Sequence, residues 1–463
     1  MSDLLISAVR RFSSITATLP PPVLDSPIWA DGGYDGVRYA LLHTTLELRQ
    51  AAARLLRTRT LTGCAPTLAH HALAQHQAAF RDLEAVLLAV DDATYRSAPT
   101  GEWSLQTVVA HVHSVERFFV SAILNTLAGG EPRMLTKEEH AILTDEPVVI
   151  AEDADQATMW ADYTRLHQKV QQHLRDLADD RMTLACAAWE PEPWPTIEFR
   201  LHRFDAHLRE HTNQAEKVLR ALDQQPGEAK LLLRQLYAAL AEVEGAAIGA
   251  ETLAAETLAA LAARIDAWCA SLAAALAIIA ETEALIAANE VAGVQALLAR
   301  TPEAAYTLME DGTSAILYSQ YRGRRALVDV LLASGMRLEI NEAAAVGDTD
   351  RVRKILDAWP EEVNYFARDG YTPLELACFF GYADCAALLL ERGADVHAVA
   401  RNATRVRPIH AAVAGNHAAI VAMLIAHGAD VNARQQDDFT PLMAARQNGN
   451  AEIEGMLVAA GAV

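Results

Sequence analysis

The sequence predicts an all-α protein: a four-helix bundle, an alanine-rich helical connector, and a solenoid of about six helix-pair units. Three observations lead there. Apolar residues recur with a period near 3.6 almost throughout, and strict alternation over the length of a strand is scarce. Turn-forming clusters at 65–67, 98–101, 129–132, 190–195 (EPEPWP) and 225–227 leave four amphipathic stretches of about twenty residues or more between them. Near the C-terminus the strings TPLELA (372–377), RPIHAA (407–412) and TPLMAA (440–445) set Pro373, Pro408 and Pro441 at intervals of 35 and 33. At roughly 150 residues per domain, the 463 residues hold about three such units.

An N-terminal extension, 1–66, contains a helical segment at about 37–59 that is expected on the outside of the bundle. The bundle is assigned to 67–224. Its first helix, about 67–90, carries Phe80, Leu83, Val86, Leu87 and Val90 on one face. The second opens at Ser104, an N-cap residue type, and carries Val108, Val112, Val115, Phe119 and Ala122. The third, about 155–178, repeats Trp160, Tyr163, His167, Val170, Leu174 and Leu177. The fourth, about 196–223, repeats Leu201, Phe204, Leu208, His211, Ala215, Val218 and Leu222. The long connection at about 129–154 reads as the single crossover of such a bundle.

The next segment, 225–280, is read as a connector. Twenty of the 53 residues at 228–280 are alanine, which favours helix and offers small side chains for close packing rather than chemistry. The remainder, 281–463, is periodic. In each clear unit Thr372 or Thr440 caps a helix whose first residue is proline, where the missing N–H costs nothing. Gly381, Gly415 and Gly449 end that helix; a second carries Leu388–Leu390 or Met423–Ile425; and Gly393, Gly428 and Gly461 close the unit. These units resemble the ankyrin repeat. Weaker copies are read at 285–299, 311–335 and 340–357, which makes six, the outer two serving as caps.

Composition narrows the function. Hydrophobic residues make up 52% and charged ones 21%, enough apolar matter for large cores. The formal charge is −21, with −12 on residues 1–280 and −9 on 281–463. No Lys/Arg cluster forms the basic face that displaces phosphate counterions, so nucleic acid is not an expected partner. Five cysteines (Cys64, Cys186, Cys269, Cys378, Cys385) make no CxxC pair and suit reduced thiols in a cytoplasm. The N-terminal MSDLLISAVRRF places its basic pair after a short apolar run, the reverse of a signal peptide. The most apolar stretch, Ala270 to Ala280, is only eleven residues, so no membrane contact is expected.

Phosphate-loop, dinucleotide-binding, nucleophile-elbow and H-E-x-x-H patterns are absent from the sequence. Histidine is the informative residue, with twelve of the sixteen lying before residue 212. His207 and His211 are four apart and share a helix face. His211 follows Leu208 by three and precedes Ala215 by four; His207 follows Phe204 by three. On the second helix His111 follows Val108 by three and precedes Val115 by four, whereas His113 faces roughly the other way. His202, nine before His211, faces out. The inward set is His111, His207 and His211. Two readings of it stand side by side: a divalent-metal site with open positions for water or a thiolate, and core histidines hydrogen-bonded to neighbouring groups.

Two segments, GEWSLQTVVAHVHSVERFF (101–119) and RLHRFDAHLREHTNQ (200–214), resemble the signature helices of the DinB-like family over about 67–224. The resemblance implies a four-helix bundle related to metal-dependent thiol S-transferases and named for damage-inducible members, hence an expected place in stress response. It implies one metal ligand on the second helix after a Trp-Ser start, matched by Trp103, Ser104 and His111. The other two form an H-x-x-x-H pair on the fourth helix, matched by His207 and His211 with Gln214 after them. Zn²⁺ or Ni²⁺ is the implied ion, with a low-molecular-weight thiol supplying the nucleophile. Bundles of this family are often dimers, so an oligomer is compatible with the resemblance.

Other residues are given structural roles. Trp103 is expected to pack at the entrance of the second helix rather than stack on a ligand, and Glu116, Glu210 and Asp205 to be solvated, with orientation of a histidine as the alternative; His167, which could line the cavity, is read as a hydrogen-bonded core residue. His70, His71 and His76 share no face and are read as incidental. His410 stands where a histidine braces the ankyrin turn, and Cys378 and Cys385 are read as buried packing thiols; Cys186 receives no role. The combined expectation is a cytoplasmic metalloprotein whose ankyrin module binds another protein. The alternative is a non-catalytic adaptor in which the bundle is a scaffold.

Overall fold

A computed structural model describes residues 2–28, 35–146, 154–187 and 195–463. The chain divides into two compact units, residues 1–274 and 275–463. Most of the EPEPWP break and the end of the long connection lie outside the described residues.

The first unit contains α1 (Ser2–Thr16), the short α2 (Pro21–Leu24), α3 (Val37–Leu61), α4 (Leu68–Val86), the short α5 (Asp92–Arg96), α6 (Leu105–Leu127), α7 (Lys137–Thr144), α8 (Gln156–Leu174), α9 (Ile197–Ala221), α10 (Glu228–Ala247) and most of α11 (Glu251–Ala287). Two-residue strands, Pro27–Ile28 and Asp35–Gly36, pair antiparallel just before α3. The four bundle helices begin where cap chemistry places them. Thr67, Ser104, Asp155 and Thr196 each accept a backbone N–H of the first turn through their side chains.

The bundle is α4, α6, α8 and α9, with α9 between α4 and α6, and α8 closing the square. Its apolar interior has two parts. One gathers Leu73, Phe119, Ile123, Val170 and Leu201; the other gathers Phe80, Val108, Val112, Tyr163 and Leu208. Along α4 and α9 the first part comes earlier in sequence, and along α6 and α8 it comes later, so the last two run parallel to each other. Parallel neighbours need a long connection, which accounts for residues 128–155. Between the two apolar parts lies a layer of polar side chains that contains the candidate site.

The segment read as a connector divides. Its first helix, α10, packs against both α4 and α3, and Leu233, Leu236, Tyr237, Leu240 and Val243 are fully buried. Alanine content concealed that stripe. Arg59 of α3 is buried and donates to three carbonyls, Cys64 O at 2.9 Å, Ala246 O at 2.9 Å and Ile248 O at 2.7 Å, which fixes α3 to the end of α10. Buried Arg81 of α4 pairs with Glu84 and, at 2.7 Å, with Glu244 of α10. The helix at 37–59 therefore docks on α10 rather than on the four-helix core.

Two of the described helices, α6 and α11, are long and apolar enough to cross a membrane. Ala270–Ala280 is thus only part of a longer apolar helix. α6 is an interior helix of the bundle, and α11 carries Arg264 and Asp266, paired with Glu47 and Arg11.

The second unit stacks the end of α11 with α12 (Val291–Arg300), then α13 (Ala315–Tyr321) with α14 (Arg325–Ala333), α15 (Ile340–Val346) with α16 (Thr349–Ala358), α17 (Pro373–Phe380) with α18 (Ala383–Glu391), α19 (Pro408–Ala414) with α20 (Ala418–Ala426), and α21 (Pro441–Gln447) with α22 (Ala451–Ala459). One continuous core runs through them from Ile286 to Leu457. Thr372 and Thr440 cap α17 and α21 as their sequence position implies. His410 accepts the Arg407 N–H through Nδ1 and reaches Ala433 O at 3.1 Å through Nε2, so it braces the turn. The left-handed residue that ends the first helix shifts between units. It is Gly381 at φ 85° in one and Asn416 at φ 61° in the next, where Gly415 stays right-handed.

Candidate metal centre

His111 sits in the second turn of α6, and His207 and His211 lie one turn apart on α9. The crossing of these two helices turns all three rings to one point. His207 Nε2 is 3.2 Å from His111 Nε2 and 3.1 Å from His211 Nε2. Nitrogen ligands at about 2.0–2.1 Å from a tetrahedral ion stand roughly 3.3 Å apart, so the spacing is that of adjacent ligands on one metal.

The tautomer of His211 suits the role. Its Nδ1 faces Oε1 of Gln214 at 2.8 Å, so Nδ1 carries the proton and Nε2 presents a lone pair. Burial, with the neighbouring charges of His211 and His111, pushes His207 down to about 3. Burial and then His211 also lower His111. Neutral imidazoles are the metal-binding form.

Trp103 forms a wall of the site. Its indole lies edge-on to His111 with ring centres 5.1 Å apart and parallel to His211 at 5.9 Å. It is 40% exposed, so the site is walled on this side by an aromatic plane that water still reaches. The expectation that Trp103 merely packs at the helix entrance is too narrow. Below the triad, Val112, Glu116, Phe119, Tyr163, Phe204 and Leu208 pack around His207 and leave only a void too small to admit a water molecule.

Several other histidines and acids lie where their helical phase puts them, and some do not. His202 and Glu210 are exposed, and Asp205 pairs with Arg209 on the surface of α9. His167 is buried and bonded to Gln77 at 2.7 Å. His113 does turn away from the triad, yet it is buried beside Tyr163, because α6 is enclosed on that side too. Glu116, expected in solvent, is buried. Tyr163 donates to its Oε2 at 2.7 Å, and the rings of His76 and His167 approach its two oxygens at 3.2 Å each.

His76, read as incidental, is therefore part of a buried group with Glu116 and His167, whose ligand atoms all lie within 4.8 Å of one another. The signal was in the sequence. His76 precedes Phe80 by four, Glu116 lies between Val112 and Phe119, and His167 follows Tyr163 by four, so each is on an inward stripe. Cys186 is buried in the apolar core, which pushes its thiol up. Cys378 and Cys385 are buried as expected.

Both clusters are compatible with a divalent metal ion. Comparison with known proteins agrees with this architecture. Residues 75–215 match the model of the DinB superfamily, and residues 284–400 and 399–462 match that of ankyrin repeats. Similar relatives include human BCL-6 corepressor-like protein 1, 37% identical over 20% of this chain and 5% of its own length. Human Rabankyrin-5 is 38% identical over 19% of this chain and 8% of its own length. The target of rapamycin complex 2 subunit AVO2 of Saccharomyces cerevisiae is 25% identical over 35% of this chain and 40% of its own length. The chain thus spans well under half of each of these relatives. Repeats of this kind support protein–protein interaction. Residues 75–215 are a DinB-superfamily domain, and the C-terminal region is an array of ankyrin repeats.

Proposed function

We propose that the bundle is a metal-binding domain in which His111, His207 and His211 hold Zn²⁺ or Ni²⁺, and that its chemistry is a thiol S-transfer or a close relative. The observation that carries this is that His207 Nε2 lies 3.2 Å from His111 Nε2 and 3.1 Å from His211 Nε2, with all three ligand atoms within 4.8 Å of one another, on the side of the bundle where Trp103 is half-open to solvent. A bound divalent ion would supply Lewis acidity, lowering the pKa of a thiol or water that joins it. The chain's own residues do the rest. Gln214 fixes the His211 ring, Trp103 offers an aromatic wall to the apolar part of a thiol substrate, and the apolar floor around Phe119 and Phe204 keeps bulk water from below.

No cysteine stands among the residues around the triad, so a low-molecular-weight thiol is assigned as the nucleophile. The ankyrin array is assigned to recruiting a protein. Five free cysteines, four of them buried, suit the cytoplasmic location we give the molecule; the stress-response role we give it rests on the resemblance to the DinB-like family alone.

A second reading rests on a different observation. The array carries a half-open pocket of about 560 Å³ lined by Tyr321, Tyr371, Glu375, Phe379, His410 and Phe439 among others, which suits an adaptor whose bundle is only a scaffold. Cobalt substitution separates the two. In Co²⁺-loaded protein, addition of a small thiol should raise a thiolate-to-cobalt charge-transfer band that His207→Ala/His211→Ala abolishes. Metal loading with no such band for any small thiol would favour the scaffold.

A further inference from the structure

The polar layer in the middle of the bundle contains a geometry that its protein atoms do not balance by themselves. His167 Nε2 faces Gln77 Oε1 at 2.7 Å, and the Gln77 amide nitrogen donates to Glu244 Oε2 at 2.7 Å. Arg81 donates to both Glu244 oxygens, Nε to Oε2 at 2.8 Å and Nη2 to Oε1 at 2.7 Å. A carboxylate held by arginine only accepts, so the Gln77 nitrogen must face it and the Gln77 oxygen must face His167. His167 therefore carries a proton on Nε2.

Its Nδ1 lone pair then lies 3.2 Å from Glu116 Oε1, against a carboxylate. On the other side His76 Nε2 is 3.2 Å from Glu116 Oε2, yet it is out of line for a hydrogen bond, and His76 Nδ1 also has no partner. All three residues are at least 95% buried. The Nδ1 lone pair of His167, the unpartnered ring of His76 and the Glu116 carboxylate, from three helices, thus meet in the buried interior, where a positive charge would satisfy them. A single proton would serve one imidazole. A divalent cation serves both and the carboxylate.

We propose that His76, Glu116 and His167 form a second divalent-cation site of the zinc class, closed to solvent, which ties α4, α6 and α8 together at the centre of the bundle. Each imidazole stands 3.2 Å from one carboxylate oxygen, His76 from Oε2 and His167 from Oε1, and one donor from each residue lies within 4.8 Å of the other two; a 3.2 Å pair about 2.1 Å from an ion subtends roughly 100°, within the range of a four-coordinate site. The surroundings are those of a metal centre: Gln77 takes the second nitrogen of His167, and Tyr163 holds the carboxylate. Closure to solvent makes the site structural.

It is distinct from the triad. Glu116 follows His111 by five residues on α6, about 7.5 Å along the helix axis, beyond the ~4 Å of paired catalytic metals. This assignment does not depend on the triad being loaded.

The test uses the full chain reconstituted with Zn²⁺ and desalted, with metal counted by elemental analysis and located by anomalous scattering at the zinc edge. About two ions per chain are expected in the parent, and about one each in Glu116→Gln and in His207→Ala/His211→Ala. An anomalous peak between His76 and His167 in the parent supports the site without any variant. The absence of that peak, or a zinc content that Glu116→Gln leaves unchanged, would overturn it and assign the layer to a shared proton. One ion retained in His207→Ala/His211→Ala but lost in Glu116→Gln would support this site while rejecting the triad, so the two assignments fail separately.

Discussion

Gln214 shows how much a residue outside the coordination sphere contributes. By accepting the Nδ1 proton of His211 it selects the tautomer whose Nε2 points at His207. Gln214→Leu removes the acceptor while keeping the volume, and should weaken metal binding roughly 10- to 100-fold, as read by competition with a chromophoric chelator. Glu375 is the corresponding residue in the array. It stands in α17 at the position His410 holds in α19, but it can only accept when ionised, and its Oε1 has no partner. Burial pushes it up to about 7. A carboxyl whose native pKa is raised loses stability as pH climbs from its unfolded value toward the native one. Glu375→Gln should therefore stabilise the array above pH 7, by up to about 3 kcal/mol, and do little near pH 4. Thermal unfolding of parent and variant at both pH values measures the difference.

Among elements, α10 carries the main lesson about legibility. Ser104 announced the second bundle helix, the turn clusters before 67 and 196 announced the first and fourth to within a residue or two, and Pro373, Pro408 and Pro441 announced the repeats, because caps, turns and prolines act locally. Which helix packs against which is a long-range matter. In α10 the abundance of alanine masked a regular stripe of Leu233, Leu236, Leu240 and Val243, and nothing local disclosed that Arg81 would meet Glu244 across 163 residues. The triad was legible because His207 and His211 share one helix face and His111 lies on a second apolar stripe. The inner cluster was legible only in part: the inward phase of His76, Glu116 and His167 was in the sequence, but their meeting was not, since they come from three helices that align at one level. Arg81→Ala would leave Glu244 buried without its cation and Glu84 with Arg10 alone, and should cost roughly 3–5 kcal/mol, measured from the midpoint of denaturant unfolding. A loss within a few tenths of a kcal/mol would contradict the packing of α10 on α4.

On the scale of the whole molecule, buried neutral histidines set the acid limit of both units. Burial first, then Arg117, pushes His113 down to about 4, and burial pushes His410 down to about 4. Between about 6.5 and about 4 the unfolded chain takes protons that the native state refuses, so stability falls as pH drops through that window. Metal-free protein should accordingly show a first unit that melts at progressively lower temperature from pH 7 to pH 4.5, with His113 responsible, whereas in the second unit protonation of Glu375 opposes the loss at His410.

The central claim is that the first unit is a metal domain. Its most direct test is the elemental content of the full chain purified without affinity tag or chelator, beside His207→Ala/His211→Ala. The account predicts Zn or Ni in the parent and, in a variant that remains folded by circular dichroism, a loss of about one equivalent. A parent that binds no metal even after reconstitution, or a variant that keeps the full complement, would contradict the account and leave the ankyrin array as the seat of function.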